Sequence, residues 1–160
     1  MPGIRKERIY FDTSVIGGCY DPEFAVDSSR LIQYARDKRI TALVSEVVVR
    51  EILNAPSRVQ EILFSIPPDT LERIDITEEI LSLRDAYLSG GIVSPRWSDD
   101  AAHAAAATVA RADAIVSWNF QHIVRLDKMR AYNQINLAHG YGILIIISPK
   151  EVNYDDPAEQ

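Results

Sequence analysis

The sequence predicts an α/β fold, a three-layer α/β/α sandwich around a mainly parallel central sheet of about five strands. Three observations lead to this prediction. Short β-branched runs alternate along the chain with longer segments of helical periodicity. The run ILIII at 143–147 is continuously apolar, as in a strand buried on both faces. The chain has 160 residues, of which 47% are apolar, and this suffices for one domain with its own core.

The predicted strands are short, and polar residues follow several of them. RIYF at 8–11 runs into Asp12, and ITALV at 40–44 runs into Ser45, a residue type that often caps helices. LERIDI at 71–76 alternates as a half-buried strand does. AIVSW at 114–118 and ILIII at 143–147 complete the sheet.

The predicted helices fill the intervals between these strands. Pro67-Pro68 and Gly90-Gly91 end two of them, and Ser98 or Asp99 is expected to cap the alanine-rich one. Residues 149–151 begin a final turn. We therefore expect one domain over residues 1–152 and a polar tail over 153–160. The predicted helical segments are 22–38, 46–54, 57–66, 77–90, 101–112 and 123–138.

Composition excludes several classes of protein. No run of about 18 apolar residues could span a membrane. The first residues, MPGIRKER, lack the apolar stretch of a signal peptide, and the single Cys19 excludes an internal disulfide. We therefore expect a cytoplasmic protein. Its net charge of −6 means that any contact with nucleic acid needs local basic patches or bridging metal ions.

Four oxygen-bearing side chains are predicted to meet at the carboxyl ends of the strands, where parallel α/β folds place their active sites. They are Asp12, Glu51, Asp100 and Asn119. Three carboxylates brought together are unfavourable unless a cation neutralises them. Oxygen ligands of this kind favour Mg²⁺ or Mn²⁺, and such a site suits phosphodiester hydrolysis.

Nearby acids compete with two of these assignments. Glu46 competes with Glu51, and Asp99 competes with Asp100. Asp113 lies before its strand, at the opposite end of the sheet, so we expect it to be structural.

Four segments resemble the signature segments of PIN-domain ribonucleases, in order and spacing. They are FDTSV at 11–15, SEVVVREI at 45–52, DAAHAAAAT at 100–108 and IVSWNFQHI at 115–123. The likeness covers roughly residues 8–152 and is closest to VapC-type toxins. It implies a metal-dependent endoribonuclease with an RNA substrate, usually a homodimer, and often held inactive by a cognate antitoxin.

The resemblance also assigns roles to individual residues. The three family acids fall on Asp12, Glu51 and Asp100, and the fourth position, frequently Asp in the family, is Asn119. This departure lowers the formal charge of the quartet and should favour one firmly held metal over two. Further positions carry family hydroxyls, namely Thr13, Ser14 and Ser117.

Other polar side chains near the acids are weaker candidates. His103 follows Asp100 by three residues and shares its helix face, so it is expected to support the site or contact phosphate. Arg50 and Arg96 are the nearest candidates for phosphate contacts. The apolar stretches 31–34 and 59–66 belong either to the core or to a dimer or antitoxin surface.

Two other functions stay open at this point. Asn119 also suits a non-catalytic PIN-like module that binds RNA or protein. A phosphoacceptor receiver-like domain would use Asp12 and Lys150, but the sequence lacks that fold's acidic pair and its middle-strand Asp. A dehalogenase-type phosphatase would need an acid at Ser14.

Overall fold

A five-stranded, all-parallel sheet forms the centre of the protein, which a computed structural model describes over residues 5–155. The strand order is β3-β2-β1-β4-β5. This confirms the predicted α/β/α fold class. The strands are β1 (Arg8–Phe11), β2 (Thr41–Ser45), β3 (Leu71–Ile74), β4 (Ala114–Val116) and β5 (Ile146–Ile147).

Helices connect the strands, as the alternating sequence pattern predicts. Short 3-10 turns lie at Gly18–Tyr20, Pro68–Thr70, Pro95–Trp97 and Pro149–Glu151. The α-helices are α1 (Thr13–Gly17), α2 (Ala25–Arg36), α3 (Glu46–Leu53), α4 (Ser57–Phe64), α5 (Glu78–Ser89), α6 (Ser98–Val109) and α7 (Leu126–Ala138).

The strand order creates a switch point at the centre of the sheet. From β1 the chain builds outward to β2 and β3, then crosses back to place β4 on the other side of β1. Ligands of open α/β sheets bind at such a point, beyond the carboxyl ends of the strands. The receiver-like alternative requires the order 2-1-3-4-5 and is therefore disfavoured.

The core lies on both faces of the central strands. Ile9, Tyr10 and Phe11 are successive residues of β1 and all are buried, although their side chains alternate between faces. The alanines of α6 are also buried and let this helix approach the sheet and α5 closely. In the 31–34 stretch, Leu31, Ile32 and Tyr34 are buried, so its apolar residues belong to the core.

Several details of the sequence prediction are wrong. Only Ile146–Ile147 of the 143–147 run form a strand, and Ile143 and Ile145 are 68% and 54% exposed. The run lies at the sheet edge, where β5 pairs with β4 alone among the described residues. Neither Ser98 nor Asp99 caps α6, since the N-cap residue is Trp97 and no side chain caps it.

Asp113 has the structural role predicted for it. Its carboxylate accepts hydrogen bonds from the Arg8 backbone N–H at 2.7 Å and from Arg5 at 2.5 Å, at the amino end of β1. Within the predicted tail, the ring of Tyr154 packs against Tyr34 of α2, and Asp155 pairs with Arg39, which precedes β2. Residues 156–160 lie outside the described residues. Within residues 5–155, no helix is long and apolar enough to cross a membrane.

Candidate active site

Asp12 lies at the switch point, directly after β1, and its carboxylate is 4% exposed. It caps α1 by accepting from the Ser14 backbone N–H at 3.1 Å and from the Ser14 hydroxyl at 2.5 Å. The Ser117 hydroxyl donates to its other oxygen at 2.6 Å. The two serines therefore fix the carboxylate in one orientation.

A buried histidine connects Glu51 to the core of the sheet. His103, on α6, is 3% exposed, and its Nε2 lies 3.1 Å from Oε1 of Glu51 on α3. Its Nδ1 lies 2.8 Å from the hydroxyl of Tyr10, which in turn lies 2.7 Å from Oγ of Ser45. Ser45 also caps α3, as predicted, so this chain of hydrogen bonds ties together β1, β2, α3 and α6.

Asp100 lies in the first turn of α6 and faces the loop after β4. Its Oδ2 lies 3.2 Å from Nδ1 of His122. The Asn119 side chain closes this loop, because its Oδ1 accepts from the backbone N–H groups of Gln121 at 3.1 Å and His122 at 2.9 Å. Both lone pairs of that oxygen are then used, so Asn119 acts in this arrangement by positioning the loop beside Asp100.

The electrostatics show that the acids and His103 form one group. Burial raises the pKa of Asp12, and burial also raises the pKa of Asp100, with a further contribution from the charge of Asp12. Burial alone would raise the pKa of Glu51, but the hydrogen bond and charge of His103 lower it overall. Burial alone would lower the pKa of His103, but the Glu51 hydrogen bond and the three nearby carboxylates raise it overall.

The carboxylate oxygens of Asp12, Glu51 and Asp100 are of the type that hard divalent cations prefer. Two buried polar atoms beside the acids, Thr13 Oγ1 and His122 Nδ1, have no hydrogen-bond partner of good geometry among the described residues. The Thr13 hydroxyl is nevertheless close enough to Glu51 to lower the pKa of that carboxyl. Over residues 5–155, no group of three or more His, Cys, Asp and Glu side chains forms a metal cluster. Mg²⁺ commonly takes one or two carboxylates and keeps several waters.

Asp99, the competitor of Asp100, points away from this group. Asp99 is exposed and pairs with Arg50 at 3.1 Å on the protein surface. Arg96 is also exposed and lies over the ring of Trp97, 4.9 Å from its centroid. Neither arginine contacts the acids directly, so their role in binding phosphate stays a prediction.

Tyr10 is the site residue that the sequence did not reveal. Tyr10 lies two residues before Asp12, which directly follows β1, and side chains two residues apart along a strand point to the same face. This two-residue spacing is the one sequence signal that could have indicated Tyr10 as a site residue. A tyrosine in a buried central strand needs a partner for its hydroxyl, and the partner, His103, lies 93 residues away.

Comparison with known proteins identifies the fold. No family model and no curated protein matches the sequence. Solved structures do match, and three of them match over nearly their whole length. VapBC2 from Rickettsia felis, bound to a promoter DNA fragment, is 16% identical, with a TM-score of 0.54 over 88% of this chain and 98% of that one.

The other two structures are of FitA–FitB complexes. FitAB bound to an IR36 DNA fragment is 11% identical, with a TM-score of 0.58 over 92% of this chain and 99% of that one. FitAcB from Neisseria gonorrhoeae is 12% identical, with a TM-score of 0.56 over 90% of this chain and 99% of that one. VapC and FitB are the PIN-domain toxins of these complexes. The chain therefore has the PIN-domain fold in its VapC-like form.

Proposed function

We propose that this chain is a divalent-metal-dependent endoribonuclease and the toxin of a toxin–antitoxin pair. The observation that supports the proposal is the arrangement at the switch point of the sheet, where Glu51 lies 3.1 Å from the buried His103 and the charges of Asp12 and Asp100 are near enough to raise its pKa. Burial already disfavours the charged forms of Asp12 and Asp100. A cation bound beside these carboxylates would favour their charged forms and so offset the effect of burial.

Asp12 and Asp100 would hold Mg²⁺ or Mn²⁺, and Glu51 would hold the same cation directly or through a water molecule. The bound cation would supply positive charge to the scissile phosphate and lower the pKa of an attacking water. This also answers the objection from the net charge of −6, because the attraction to phosphate is then local.

The remaining residues position these acids. Ser14 and Ser117 hold the Asp12 carboxylate, and the hydrogen bond and charge of His103 lower the pKa of Glu51. The Glu51 side chain is 36% exposed, so it can accept a proton from water at the rim. The water that gives its proton to Glu51 would attack phosphorus in line. The bond to the leaving oxygen would break, and that oxygen would take up a proton from solvent.

The test is cleavage of RNA with and without EDTA by the native chain and by Asp12→Asn and Asp100→Asn. We expect cleavage by the native chain to require a divalent cation and to fall at least about 100-fold in each variant. Asp99→Asn is the matched control, since Asp99 is adjacent to Asp100 but exposed and paired with Arg50. Undiminished cleavage by Asp12→Asn and Asp100→Asn would refute the assignment.

The alternative is a PIN-like module that binds RNA or protein without cleaving it. Asn119, in place of the family's usual Asp, favours this alternative. It predicts binding with no product under any divalent cation, so product formed by the native chain would exclude it.

An antitoxin partner belongs to the same proposal, because the three solved structures described above are VapBC and FitAB complexes. We also propose a homodimer and a cytoplasmic location. The mass of the purified chain in solution tests the dimer. Co-expression with the protein encoded by the adjacent gene, followed by purification and a cleavage assay, tests the antitoxin through loss of activity.

A further inference from the structure

A cavity of ≈ 330 Å³ opens beside the Asp100 end of the acid group. His122 connects the two, since it lines the cavity and its Nδ1 lies 3.2 Å from Asp100. His122 is 7% exposed, and this nitrogen has no hydrogen-bond partner of good geometry among the described residues. A second cavity, of ≈ 400 Å³, is lined by Arg111 and Ala112 before β4 and so lies at the other end of the sheet.

Trp97 forms an aromatic wall of the cavity beside Asp100. It is 39% exposed, while the other tryptophan, Trp118, is 6% exposed and stacks on Phe24 in the interior. The Trp97 ring meets His122 edge to face, with a centroid distance of 4.7 Å. An exposed indole held in this way is a platform on which a nucleic-acid base can stack.

The cavity also carries positive charge in an acidic protein. Lys128 lines it and donates to the Ile92 carbonyl, and no carboxylate within residues 5–155 forms an ion pair with it. Arg125 lines it as well, and its charge is paired with Asp127. Arg96 lies outside the cavity lining but over the ring of Trp97, and it has no acidic partner in the described part of the chain.

We propose that this cavity binds one unpaired nucleotide of RNA, with its base stacked on Trp97 and its phosphate held by Lys128 and Arg96. The inference rests on the proposed function and specifies its substrate as single-stranded at this position. A paired base already stacks on its neighbours within the duplex, so its face is not available to an indole. In this arrangement the phosphate of the next nucleotide lies beyond His122, beside Asp100 and the other acids.

The first test measures binding to a short single-stranded oligoribonucleotide in EDTA, so that cleavage plays no part. We expect the oligonucleotide to quench the intrinsic fluorescence, because the exposed tryptophan stacks on a base. Trp97→Phe should lose most of this quenching, while Trp118 remains shielded. The same strand in a duplex should quench weakly.

The second test compares affinities of variants. Trp97→Ala should weaken binding about 5- to 150-fold, the range that corresponds to stacking of one base. Phe64→Ala is the matched control, because Phe64 is also an exposed aromatic residue and does not line the cavity. Its neighbour Ser65 accepts a hydrogen bond from Arg36, the last residue of α2. It should bind as the native chain does.

The third test follows affinity against salt concentration. Lys128→Gln can still donate to the Ile92 carbonyl but loses the charge, so the slope of log K against log salt should become shallower by about 0.7. Lys38→Gln, a control remote from the cavity and paired with Asp69, should leave the slope unchanged.

The outcomes separate this inference from the proposed function. Quenching that depends on Trp97, without any cleavage when Mg²⁺ or Mn²⁺ is added, would support the subsite and refute the nuclease. Cleavage with an unchanged KM in Trp97→Ala would support the nuclease and overturn the subsite. Absence of any binding by the native chain, or equal binding of duplex and single strand, would also overturn the subsite.

Discussion

The surroundings of His103 raise the pKa of its ring and so favour its positively charged form when no metal ion is bound. Both ring nitrogens of this buried residue have oxygen partners, Glu51 and Tyr10. With both nitrogens protonated, the ring donates to the Glu51 carboxylate and to the Tyr10 hydroxyl, and Tyr10 donates to Ser45. The hydrogen bonds from His103 to Tyr10 and from Tyr10 to Ser45 therefore favour the charged form of the His103 ring.

This arrangement predicts a pH dependence of stability in the absence of divalent cations. The pKa of His103 is higher in the folded chain than its ordinary value of 6.5. Its contribution to the free energy of unfolding is therefore complete below about pH 6.5 and is lost as pH rises through the folded-state pKa. We expect urea unfolding in EDTA to show stability falling from pH 6 upward, and His103→Asn to flatten this dependence.

His139 provides the control for that experiment, since it is exposed at the end of α7. His139→Asn should retain the pH dependence of the native chain. A slope that is equally steep in His103→Asn would contradict the role given to His103.

The positions of the candidate acids in the fold could be predicted from the sequence, but their hydrogen-bond partners could not. Asp12 follows a strand, Asn119 lies in the loop after β4, and Asp100 lies in the first turn of a helix, so the local pattern predicts that they lie at one end of the sheet. Their role in catalysis stays a prediction. The pairings of His103 with Glu51 and Tyr10 join residues 52 and 93 positions apart. Nothing in the local pattern of either segment specifies such contacts.

At the scale of elements, two adjacent glycines fix how α1 ends against α2. Gly17 and Gly18 both have helical backbone angles, so neither is required for its conformation. A Cβ at Gly18 would lie 2.6 Å from Ser28 Oγ and 2.9 Å from Trp118 Nε1, the two atoms of a buried hydrogen bond. A Cβ at Gly17 would meet nothing within 4 Å.

The two positions should therefore respond oppositely to alanine. We expect Gly18→Ala to lower the free energy of unfolding by about 1–3 kcal/mol, because Ser28 or Trp118 must move. Gly17→Ala should raise it by about 0.4–1 kcal/mol, since alanine restricts the unfolded chain. Chemical denaturation of both variants checks this, and equal effects would contradict the close approach at Gly18.

The errors of the sequence prediction also occur at this scale. A continuous apolar run predicts a strand between two covering layers, yet residues 143–147 lie at an edge, and Ile143 and Ile145 are exposed. Whether a strand lies at the edge or at the centre of a sheet depends on the order of all the strands, so five residues of sequence cannot indicate it. The helix after Asp21-Pro22 begins three residues late, at Ala25, because Asp21 first forms a turn by accepting from the Glu23 backbone N–H.

At the scale of the whole molecule, the acid group joins segments that meet only in the folded chain. A cation that binds these acids binds the folded state and not the unfolded one, and so must stabilise the fold. At 100 times its dissociation constant, Mg²⁺ or Mn²⁺ should add about 3 kcal/mol, or roughly 5–10 °C in Tm.

Thermal unfolding with and without the cation measures this effect. Asp12→Asn should abolish the shift, because it removes a charge that faces the site from the centre of the sheet. Asp99→Asn, exposed and paired elsewhere, should retain it. A shift that persists in Asp12→Asn would place the cation at another site.

Of the five strands, the central strand β1 is the first to be synthesised, before both of its neighbours in the sheet. These neighbours are β2, which begins at Thr41, and β4, which ends at Val116. The Ser117 hydroxyl that orients Asp12 follows β4 in the chain. A growing polypeptide that ends before Ser117 therefore carries Asp12 without the partner that orients it, so the proposed site forms only after β4 has been synthesised.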